Sequence, residues 1–269
     1  MKLEQKNVIL TGASGGIGRC LTEKLAMQGC QLLLVDRDLG TLEEMRDKLH
    51  LDHARCHLLA ADITAPAGRE LIIASAQDHF DGVDVLINLA GAMYFGSYKT
   101  EDEHTTETLF NVNVLAPMQL SRAVLPLMQG GGRIVNIGSI FGSIAFAYYT
   151  TYSATKFALR GFSEALRREL ADTGIGVTYI APRATRTPFN DQAVYDLSSK
   201  IKMNFDSPDH VAAQIVSAIR ADARERFLGR PESLFVRLNN LFPRLIDRAL
   251  RKQNRVTGDF ALKTHSASD

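Results

Sequence analysis

Short apolar runs alternate along the chain with longer stretches in which apolar residues recur at helical spacing. The apolar runs occupy residues 7–11, 31–36, 56–61, 83–88, 132–138 and 176–181. The helix-like stretches occupy residues 16–29, 39–50, 67–79, 107–129, 153–172 and 208–221. Strands that are apolar along almost their whole length are typical of a parallel sheet between two layers of helices. The pattern therefore predicts an α/β fold with a doubly wound parallel sheet, whose ligands bind beyond the carboxyl ends of the strands.

The chain from residue 230 onward follows a different pattern. An apolar stripe at helical spacing is formed by Leu234, Phe235, Leu238, Leu241, Phe242, Leu245, Ile246 and Ala249. The basic residues beside it are Arg237, Arg244, Arg248, Arg251, Lys252 and Arg255. We predict a basic amphipathic helix, kinked at Pro243 and followed by a disordered tail over 264–269. Such a helix packs on the protein's own fold, on a partner subunit or on an anionic membrane surface, and we favour the first two.

Composition narrows the class of protein. A chain of 269 residues, 45% apolar and 23% charged, is ordinary for one large globular domain. The net charge of +1 gives no reason to expect nucleic-acid binding. We find no apolar segment long enough to span a bilayer, and the N-terminus does not read as a signal or transit peptide.

The cysteines and histidines give no sign of a metal site. Cys20, Cys30 and Cys56 have no C-x-x-C spacing, which predicts reduced thiols in a cytoplasmic protein. Three histidines between residues 50 and 57 lie near Cys56. They fall across a helix end and a strand start, and we interpret them as solvated polar residues.

The first predicted strand runs directly into a glycine-rich turn, and a helix follows. The turn consists of Gly12, Ala13, Ser14, Gly15, Gly16, Ile17 and Gly18. A turn of this kind brings backbone N–H groups and a helix N-terminus to one point, which suits a pyrophosphate. Its glycines permit a tight turn, close approach of the backbone to the ligand and close helix packing. The sequence therefore predicts a nucleotide-binding turn.

The second predicted strand ends in Asp36, where a parallel neighbour would place a carboxylate against an adenosine ribose. A carboxylate there accepts hydrogen bonds from both ribose hydroxyls and repels a 2′-phosphate. Asp36 therefore favours NAD over NADP, although Arg37 directly after it is able to pair with a phosphate. A competing interpretation makes Asp36 the cap of the helix that begins near Leu39.

Tyr152 and Lys156 lie four residues apart in a predicted helix and so project from the same face. An ammonium beside a phenol favours the phenolate, so Lys156 is expected to lower the pKa of Tyr152. A phenol of lowered pKa suits general acid–base chemistry on an alcohol or a carbonyl.

Together with these features, the motifs of the chain over about residues 5 to 230 resemble those of the short-chain dehydrogenase/reductase family. The family motif T-G-x-x-x-G-x-G is matched by Thr11, Gly12, Gly16 and Gly18, and the acid that contacts adenine by Asp62, followed by Ile63. The catalytic tetrad is matched by Asn113, Ser139, Tyr152 and Lys156. The resemblance implies a Rossmann-like sheet, a nicotinamide dinucleotide cofactor and a homodimer or homotetramer.

The resemblance also implies a role for each member of the tetrad. Tyr152 would exchange a proton with the substrate oxygen while hydride passes between the substrate carbon and the nicotinamide, and Ser139 would hold that oxygen. Lys156 would lower the pKa of Tyr152 and bind the nicotinamide ribose. The side chain or the backbone carbonyl of Asn113 would anchor a water that links Lys156 to solvent.

The cofactor contacts implied by the resemblance include two departures from the family pattern. The expected contacts are Gly12, Ser14, Gly15, Gly16, Ile17, Gly18, Asp36, Arg37, Asp62, Ile63, Asn88, Ala90, Gly91, Tyr152, Lys156, Pro182 and Thr187. Residues 88–91 read Asn-Leu-Ala-Gly where members usually carry Asn-Asn-Ala-Gly, and Arg183 replaces the glycine that usually follows Pro182. Arg183 either holds a carboxylate or phosphate of the substrate or points to solvent. Thr187 keeps its expected role at the carboxamide.

Between Thr187 and about Asp206 the sequence loses strand and long-helix character, which resembles the family's mobile substrate lid. Its apolar residues are Phe189, Tyr195, Leu197, Ile201, Met203 and Phe205, and the same pocket is expected to include Met93, Tyr94, Phe141, Ile144 and Phe146. An apolar lid predicts a hydrophobic or acyl-like substrate, unless these side chains only pack the lobe.

These features predict an NAD(P)-dependent oxidoreductase that interconverts a secondary alcohol and a ketone or aldehyde. Residues 1–229 would form the dinucleotide-binding catalytic domain, and residues 230–269 the basic extension. NAD is the favoured cofactor, with NADP as the alternative. The competing function is a dinucleotide-sensing regulatory or binding protein that acts through its C-terminal helix, and the intact tetrad argues against it.

Overall fold

A seven-stranded parallel sheet forms the centre of the fold in a computed structural model, which describes residues 1–201, 203–229, 235–236, 238–239 and 241–262. The strands are β1 Asn7–Thr11, β2 Gln31–Asp36, β3 Cys56–Ala60, β4 Val85–Asn88, β5 Gly132–Ile137, β6 Ile175–Ala181 and β7 Glu225–Phe227. Their order is β3-β2-β1-β4-β5-β6-β7, and every neighbouring pair is parallel. The chain builds outward from β1 in one direction and then returns to build in the other. The carboxyl ends of β1 and β4 therefore border the crevice at which the order reverses.

Helices cover both faces of this sheet. They are α1 Gly16–Met27, α2 Leu39–Lys48, α3 Pro66–His79, α4 Glu103–Phe110, α5 Ala116–Val124, α6 Thr150–Glu169, α7 Gln192–Ile201, α8 Pro208–Arg220 and α9 Pro243–Ala261. Apolar side chains of α1, α2 and α8 pack on one face, and those of α3, α5 and α6 pack on the other. Burial of both faces explains why the strands are apolar along almost their whole length. The predicted doubly wound α/β fold is confirmed.

The six predicted strands agree with the observed ones to within two residues at each end. Two elements were not predicted. β7 is only three residues long and its first residue, Glu225, is exposed. The strand therefore has no apolar run that would predict it from the sequence. Helix α7 lies within the segment that was expected to lack strand and long-helix character, and it forms because Val194 and Leu197, three residues apart, both reach the core.

The predicted helix over 107–129 is interrupted by a π-turn over Asn111–Leu115, between α4 and α5. A π-turn contains one residue more than an α-helical turn, so it rotates the side chains that follow it relative to those before it. Here the turn carries Asn113, one of the predicted tetrad. Turns of this type occur frequently at functional sites.

The C-terminal helix α9 begins at Pro243, which the sequence had suggested as a kink. Proline is well suited to the first helical position, where its missing N–H would have had no partner in the helix. The buried face of α9 includes Ile246, Thr257 and Ala261, and the helix packs against α7. Packing on the protein's own fold is therefore confirmed for this face. Leu234, Arg237 and the tail over 264–269 lie outside the described residues.

None of the helices in the described ranges is both long and apolar enough to cross a membrane.

Candidate functional site

A cleft of about 1110 Å³ opens beyond the carboxyl ends of the strands. Of the predicted site residues, those that border it are Gly12, Ser14, Gly15, Gly16, Ile17, Gly18, Asp36, Arg37, Asp62, Ile63, Ala90, Gly91, Ser139, Tyr152, Lys156, Pro182 and Thr187. Asn88 and Asn113 do not border it. The fold therefore brings residues from six different strand ends, spread over most of the chain, to one place.

The glycine turn is packed too tightly for side chains at two positions. Gly12 has a φ of +70°, and a Cβ atom there would lie 2.8 Å from the backbone of Ala90. A Cβ atom at Gly18 would lie 2.2 Å from the carbonyl oxygen of Gly12 and 2.6 Å from that of Ala13. Gly15 occupies the N-cap position of α1 and offers no side-chain hydrogen bond to the first turn of the helix. The N–H groups at this helix end thus meet the cleft without a side-chain cap.

The carboxylate of Asp36 lies at the end of β2 and faces this turn. Its Oδ2 accepts hydrogen bonds from the backbone N–H and the hydroxyl of Ser14, at 3.0 and 2.6 Å. Its Oδ1 accepts the N–H of Arg37 at 2.8 Å. The cap of α2 is Asp38, which accepts the N–H of Thr41 at 2.6 Å. Asp36 therefore does not cap the helix, and its position is set by the glycine turn.

Asp62 and Asn88 differ in where their side chains lie. Asp62 borders the cleft, and hydrogen bonds from Thr64 to its carboxylate lower the pKa of Asp62. The Nδ2 of Asn88 instead donates to Oδ1 of Asn136 at 2.8 Å and to the hydroxyl of Ser121 at 3.2 Å. Asn88 is buried between β4, β5 and α5, because its amide is needed to satisfy the polar groups enclosed there. The Asn88 side chain therefore faces away from the cleft, and its contact with the cofactor stays a prediction.

Tyr152 and Ser139 meet at the floor of the cleft. Both are buried and border the cleft, and Ser139 lies close enough to act on the pKa of Tyr152, which it lowers. The Oγ of Ser139 also accepts the N–H of Phe141 at 3.2 Å. The phenol at the start of α6 and the serine after β5 are thereby fixed side by side.

Tyr179 on β6 holds the backbone of Ser139 from behind, a role that sequence reasoning missed. Its hydroxyl accepts the N–H of Ser139 at 3.3 Å and donates to the carbonyl oxygen of the same residue at 3.1 Å. Cβ atoms at Gly138 or Gly142 would lie 2.1 and 2.3 Å from this hydroxyl. The signal available in the sequence was a tyrosine within the apolar run 176–181. A tyrosine buried in a strand needs a hydrogen-bond partner for its hydroxyl, and Tyr179 is fully buried.

Lys156 lies one helical turn beyond Tyr152 and is buried. Its Nζ donates to the carbonyl oxygen of Ile137 at 3.3 Å and lies 5.5 Å from the centroid of the Tyr152 ring. Burial lowers the pKa of Lys156 to about 8. Burial also raises the pKa of Tyr152, and Ser139 opposes this only in part. Desolvation of the phenol is the largest influence on its pKa, and the expected lowering by Lys156 stays a prediction.

Lys156→Met is expected to stabilise the protein by about 1 to 3 kcal/mol at pH 7, since each unit of pKa shift corresponds to about 1.4 kcal/mol. The pKa of Lys156 is about 8 in the folded chain and 10.5 when unperturbed. The unfolded chain therefore binds more protons between these two values, and stability from this group rises with pH across that window. The gain from Lys156→Met should be full below pH 8 and gone above about pH 10.5. Denaturant titrations of both proteins from pH 6.5 to 10.5 would show a constant difference if burial of the ammonium imposed no penalty.

Asn113 is buried in the π-turn, and its side-chain amide is fully engaged. Its Oδ1 accepts the N–H of Ala92 at 2.9 Å, while its Nδ2 donates to the carbonyl oxygen of Ala92 at 2.8 Å and to Thr155 at 3.1 Å. A Cβ atom at Gly91 would lie 3.2 Å from this Oδ1 and 3.8 Å from the Nζ of Lys156. Asn113 thus fastens the loop after β4 to α6 directly beside Lys156. Two groups of Asn113 were predicted as the anchor for a water, the side chain and the backbone carbonyl. The side chain is engaged in hydrogen bonds with Ala92 and Thr155, so the backbone carbonyl is the anchor that we retain.

Arg183 neither points to solvent nor extends freely into the cleft. Its guanidinium forms an ion pair of 2.7 Å with Asp206, and the carboxylate is almost completely buried. The backbone reinforces this link: Asp206 donates to the carbonyl oxygen of Ala184 at 2.9 Å and accepts the N–H of Arg186 at 3.0 Å. Both ends of the segment that carries α7 are therefore joined at its base.

The wall of the cleft around Tyr152 is aromatic and apolar. Phe141 packs edge-on against Tyr149 and Tyr152, with centroid distances of 4.9 and 5.5 Å, and Phe189 lies 6.4 Å from Tyr152. Other bordering residues are Met93, Val194 and Met203. The residues predicted for this pocket that do not border the cleft are Tyr94, Ile144, Phe146, Tyr195, Leu197, Ile201 and Phe205, and Phe146 packs behind Phe141. Tyr149 was not predicted.

Across the described ranges, no group of three or more His, Cys, Asp or Glu side chains is placed to hold a metal ion.

The chain is similar to proteins of one family. The family model described as short chain dehydrogenase matches residues 6–197, which include all four residues of the predicted tetrad. An uncharacterized oxidoreductase of Staphylococcus epidermidis is 30% identical over 203 residues, covering 75% of this chain and 87% of the relative. Ketoacyl reductase HetN of Nostoc sp. is 29% identical over 261 residues, covering 93% of this chain and 89% of the relative. A solved short-chain dehydrogenase from Streptomyces avermitilis has a TM-score of 0.78 at 28% identity, covering 94% of this chain and 99% of that one.

Proposed function

The chain belongs to the short-chain dehydrogenase/reductase family of oxidoreductases, and from this premise we propose that it interconverts a secondary alcohol and a ketone or aldehyde with a nicotinamide dinucleotide. The observation that carries the proposal is that Tyr152, Ser139 and Lys156 meet at the cleft, with the Lys156 ammonium over the phenol ring. A buried phenol with a hydroxyl and a cation nearby is suited to exchange a proton with a bound oxygen.

The cleft residues fit such a dinucleotide along its length. The uncapped start of α1 and the glycine turn suit a pyrophosphate. Asp36 and Asp62 lie at neighbouring strand ends on the side of β2 and β3, where the adenosine half would lie. Tyr152 and Lys156 lie on the other side, with room for the nicotinamide half.

In the proposed mechanism, the nicotinamide supplies the hydride donor or acceptor when it is bound. Tyr152 gives a proton to the carbonyl oxygen of the substrate, or takes it from the alcohol in the reverse direction. Ser139 holds the same oxygen by a hydrogen bond, since its hydroxyl adjoins that of Tyr152. Lys156 holds the ribose hydroxyls, and the backbone carbonyl of Asn113 anchors the water through which protons reach solvent.

We propose NAD as the preferred cofactor because of Asp36. Asp36→Ala is expected to reduce the preference for NAD over NADP, measured as the ratio of kcat/KM values, by about 10- to 100-fold. The loss has two causes: the ribose hydroxyls lose their acceptor, and a 2′-phosphate no longer meets a carboxylate.

The matched control is Ser14→Ala, which removes a hydrogen bond to Asp36 but leaves its charge in place. Ser14→Ala should change the ratio by less than threefold, and Arg37→Ala should weaken NADP more than NAD. An unchanged ratio in Asp36→Ala would remove Asp36 from cofactor selection.

We propose a hydrophobic or acyl-like substrate. The support is the aromatic wall formed by Phe141, Tyr149 and Phe189, which would leave the hydroxyls of a free sugar without partners. The name of the Nostoc relative, a ketoacyl reductase that matches 93% of the chain, points to the same class. Absorbance of the reduced nicotinamide, followed with medium-chain, steroid-like and 3-oxoacyl compounds, tests this directly.

We also propose that the protein is a homodimer or homotetramer in the cytoplasm. Leu115 and Phe157, 47% and 44% exposed, lie on the neighbouring π-turn and α6 and offer an apolar surface for a subunit contact. All three cysteines are free, and burial raises the pKa of Cys56 to about 11, as expected of unreactive thiols in a reducing compartment. We take residues 1–229 as the catalytic domain and 230–269 as its extension.

A further inference from the structure

The outer side of α9, together with the two residues before it, combines large apolar and basic side chains at the surface. This region, called the α9 surface below, consists of Leu241, Phe242, Arg244, Leu245, Arg248, Arg251, Lys252 and Arg255. Leu241, Phe242 and Leu245 are 70%, 57% and 59% exposed. They form a contiguous cluster that borders a shallow depression together with Arg244 and Arg248. Three large apolar side chains grouped in this way mark an interaction surface more often than scattered single ones do.

The exposure of these residues follows from how the helix is attached. Val236 is buried, and the Nδ2 of Asn239 donates to the carbonyl oxygen of Ser143 at 3.2 Å, so the chain just before the α9 surface is tied to the fold. Ile246 is buried on the inner side of α9. Since successive helical residues are rotated by about 100°, Leu245 and Arg248 cannot face inward at the same time as Ile246. Leu241, Phe242 and Leu245 belong to the predicted apolar stripe but are therefore not packed on the protein's own fold.

The charge on this helix is mainly positive. Residues 241–262 contain five basic and two acidic side chains, Asp247 and Asp259. Arg248, Lys252 and Arg255 follow Leu245 at intervals of three, seven and ten residues and so continue its face of the helix. The exposed apolar cluster is thus followed along the helix axis by a row of cations. Apolar anchors beside a row of arginine and lysine are the composition of a helix that lies in the plane of a lipid–water interface.

We propose that the α9 surface binds the surface of an anionic lipid bilayer. Leu241, Phe242 and Leu245 enter the boundary between headgroups and acyl chains, and the arginine and lysine side chains meet the lipid phosphates and other anionic headgroups. A second copy of the chain fits the surface less well, since a symmetric contact would bring the same cations against each other. The proposal does not depend on the enzymatic activity.

Bilayer binding through this surface would also determine where the cleft lies relative to the membrane. The opposite end of α9 carries Val256, Phe260 and Ala261, which pack in one cluster with Tyr149 and Tyr152. A Cβ atom at Gly258 would lie 2.3 Å from the hydroxyl of Tyr148, so this end of the helix packs closely against the residues just before α6. The helix that meets the lipid is therefore packed, at its other end, in the same cluster as two aromatic residues that border the cleft.

The test is sedimentation of the full-length protein with vesicles of phosphatidylcholine alone or with 30% phosphatidylglycerol. We expect at least tenfold stronger binding to the anionic vesicles at about 0.1 M salt, with most of that difference lost at about 0.5 M salt. Leu245→Asp and Arg248→Glu should each weaken binding to anionic vesicles about tenfold or more. The matched controls are Leu71→Asp, at another exposed leucine, and Lys48→Glu, at an exposed lysine on α2, and both should bind as the unchanged protein does.

Each outcome decides the proposal. Equal binding to both kinds of vesicle, or equal weakening by the control variants, would overturn it. So would absence of vesicle binding together with concentration-dependent self-association that Leu245→Asp abolishes, because the surface would then join two copies. Circular dichroism and dinucleotide binding of every variant show whether its fold is intact.

Discussion

Tyr152→Phe is expected to lower kcat at least 1000-fold while the dissociation constant of the dinucleotide changes less than about threefold. The substitution removes the phenolic oxygen at the floor of the cleft, where Ser139 also lies, and it leaves the ring contacts with Phe141 in place. Proton exchange with the substrate then has no donor at that position. Stopped-flow measurement of nicotinamide absorbance separates the chemical step from cofactor binding, which fluorescence titration measures.

Tyr149→Phe is the matched control for this substitution. Tyr149 borders the same cleft, is buried, and packs against Phe141 and Phe95, so the control removes a hydroxyl from the same cluster. We expect Tyr149→Phe to retain at least a tenth of the activity. Comparable losses in both variants would mean that packing of the aromatic wall, and not the phenol of Tyr152, limits the reaction. Survival of the cellular role in Tyr152→Phe would favour the dinucleotide-sensing alternative.

Gly18→Ala is expected to weaken dinucleotide binding at least 100-fold and to lower the free energy of unfolding by about 3 kcal/mol. The added methyl group would lie 2.2 Å from the carbonyl oxygen of Gly12, so either the turn or the start of α1 must move. Both movements displace the N–H groups that suit a pyrophosphate. Isothermal titration with the dinucleotide and urea unfolding measure the two effects.

Gly161→Ala supplies the control for Gly18→Ala. Gly161 lies in α6, and a Cβ atom there would have no neighbour within 4 Å. Alanine in the middle of a helix is favoured over glycine by up to about 1 kcal/mol, so Gly161→Ala should stabilise the protein slightly and bind the dinucleotide unchanged. If Gly18→Ala behaved in the same way, close packing of the glycine turn would not be needed for binding.

Residues whose position follows from the strand pattern were predictable from the sequence. Gly12, Asp36, Asp62, Ser139 and Pro182 each follow a buried apolar run, and parallel strands place their carboxyl ends at one edge of the sheet. The motifs alone do not explain why these distant residues lie together, whereas the predicted parallel sheet does. For Tyr152 and Lys156 the resemblance to the family added the context that a spacing of four residues lacks.

Features that depend on contacts between distant segments could not be read in the same way. The sequence of the π-turn over Asn111–Leu115 predicts an ordinary α-helix. The role of the turn becomes visible only from the hydrogen bonds that Asn113 forms with Ala92 and Thr155. Arg183 and Asp206 are 23 positions apart, and no local pattern pairs them.

The pKa values and the exposed side of α9 belong to the same class. The pKa of Tyr152 depends on how deeply the phenol is buried. The spacing of residues along the sequence does not predict that burial. Periodicity predicts that Leu245 and Ile246 belong to one apolar stripe, but the narrow contact of α9 with the fold buries only Ile246.

The ion pair between Arg183 and Asp206 sets how the segment that carries α7 is able to move. Its two ends are clamped together by this pair and by the backbone hydrogen bonds of Asp206 with Ala184 and Arg186. Because the two ends of this segment are joined, we expect it to open by rotation about the ion pair and not by unravelling from one end. The entropy of bringing the ends together is lost on folding and not again at each turnover. The movement of α7 that admits a substrate is then expected to be a tilt away from α9, with which it packs.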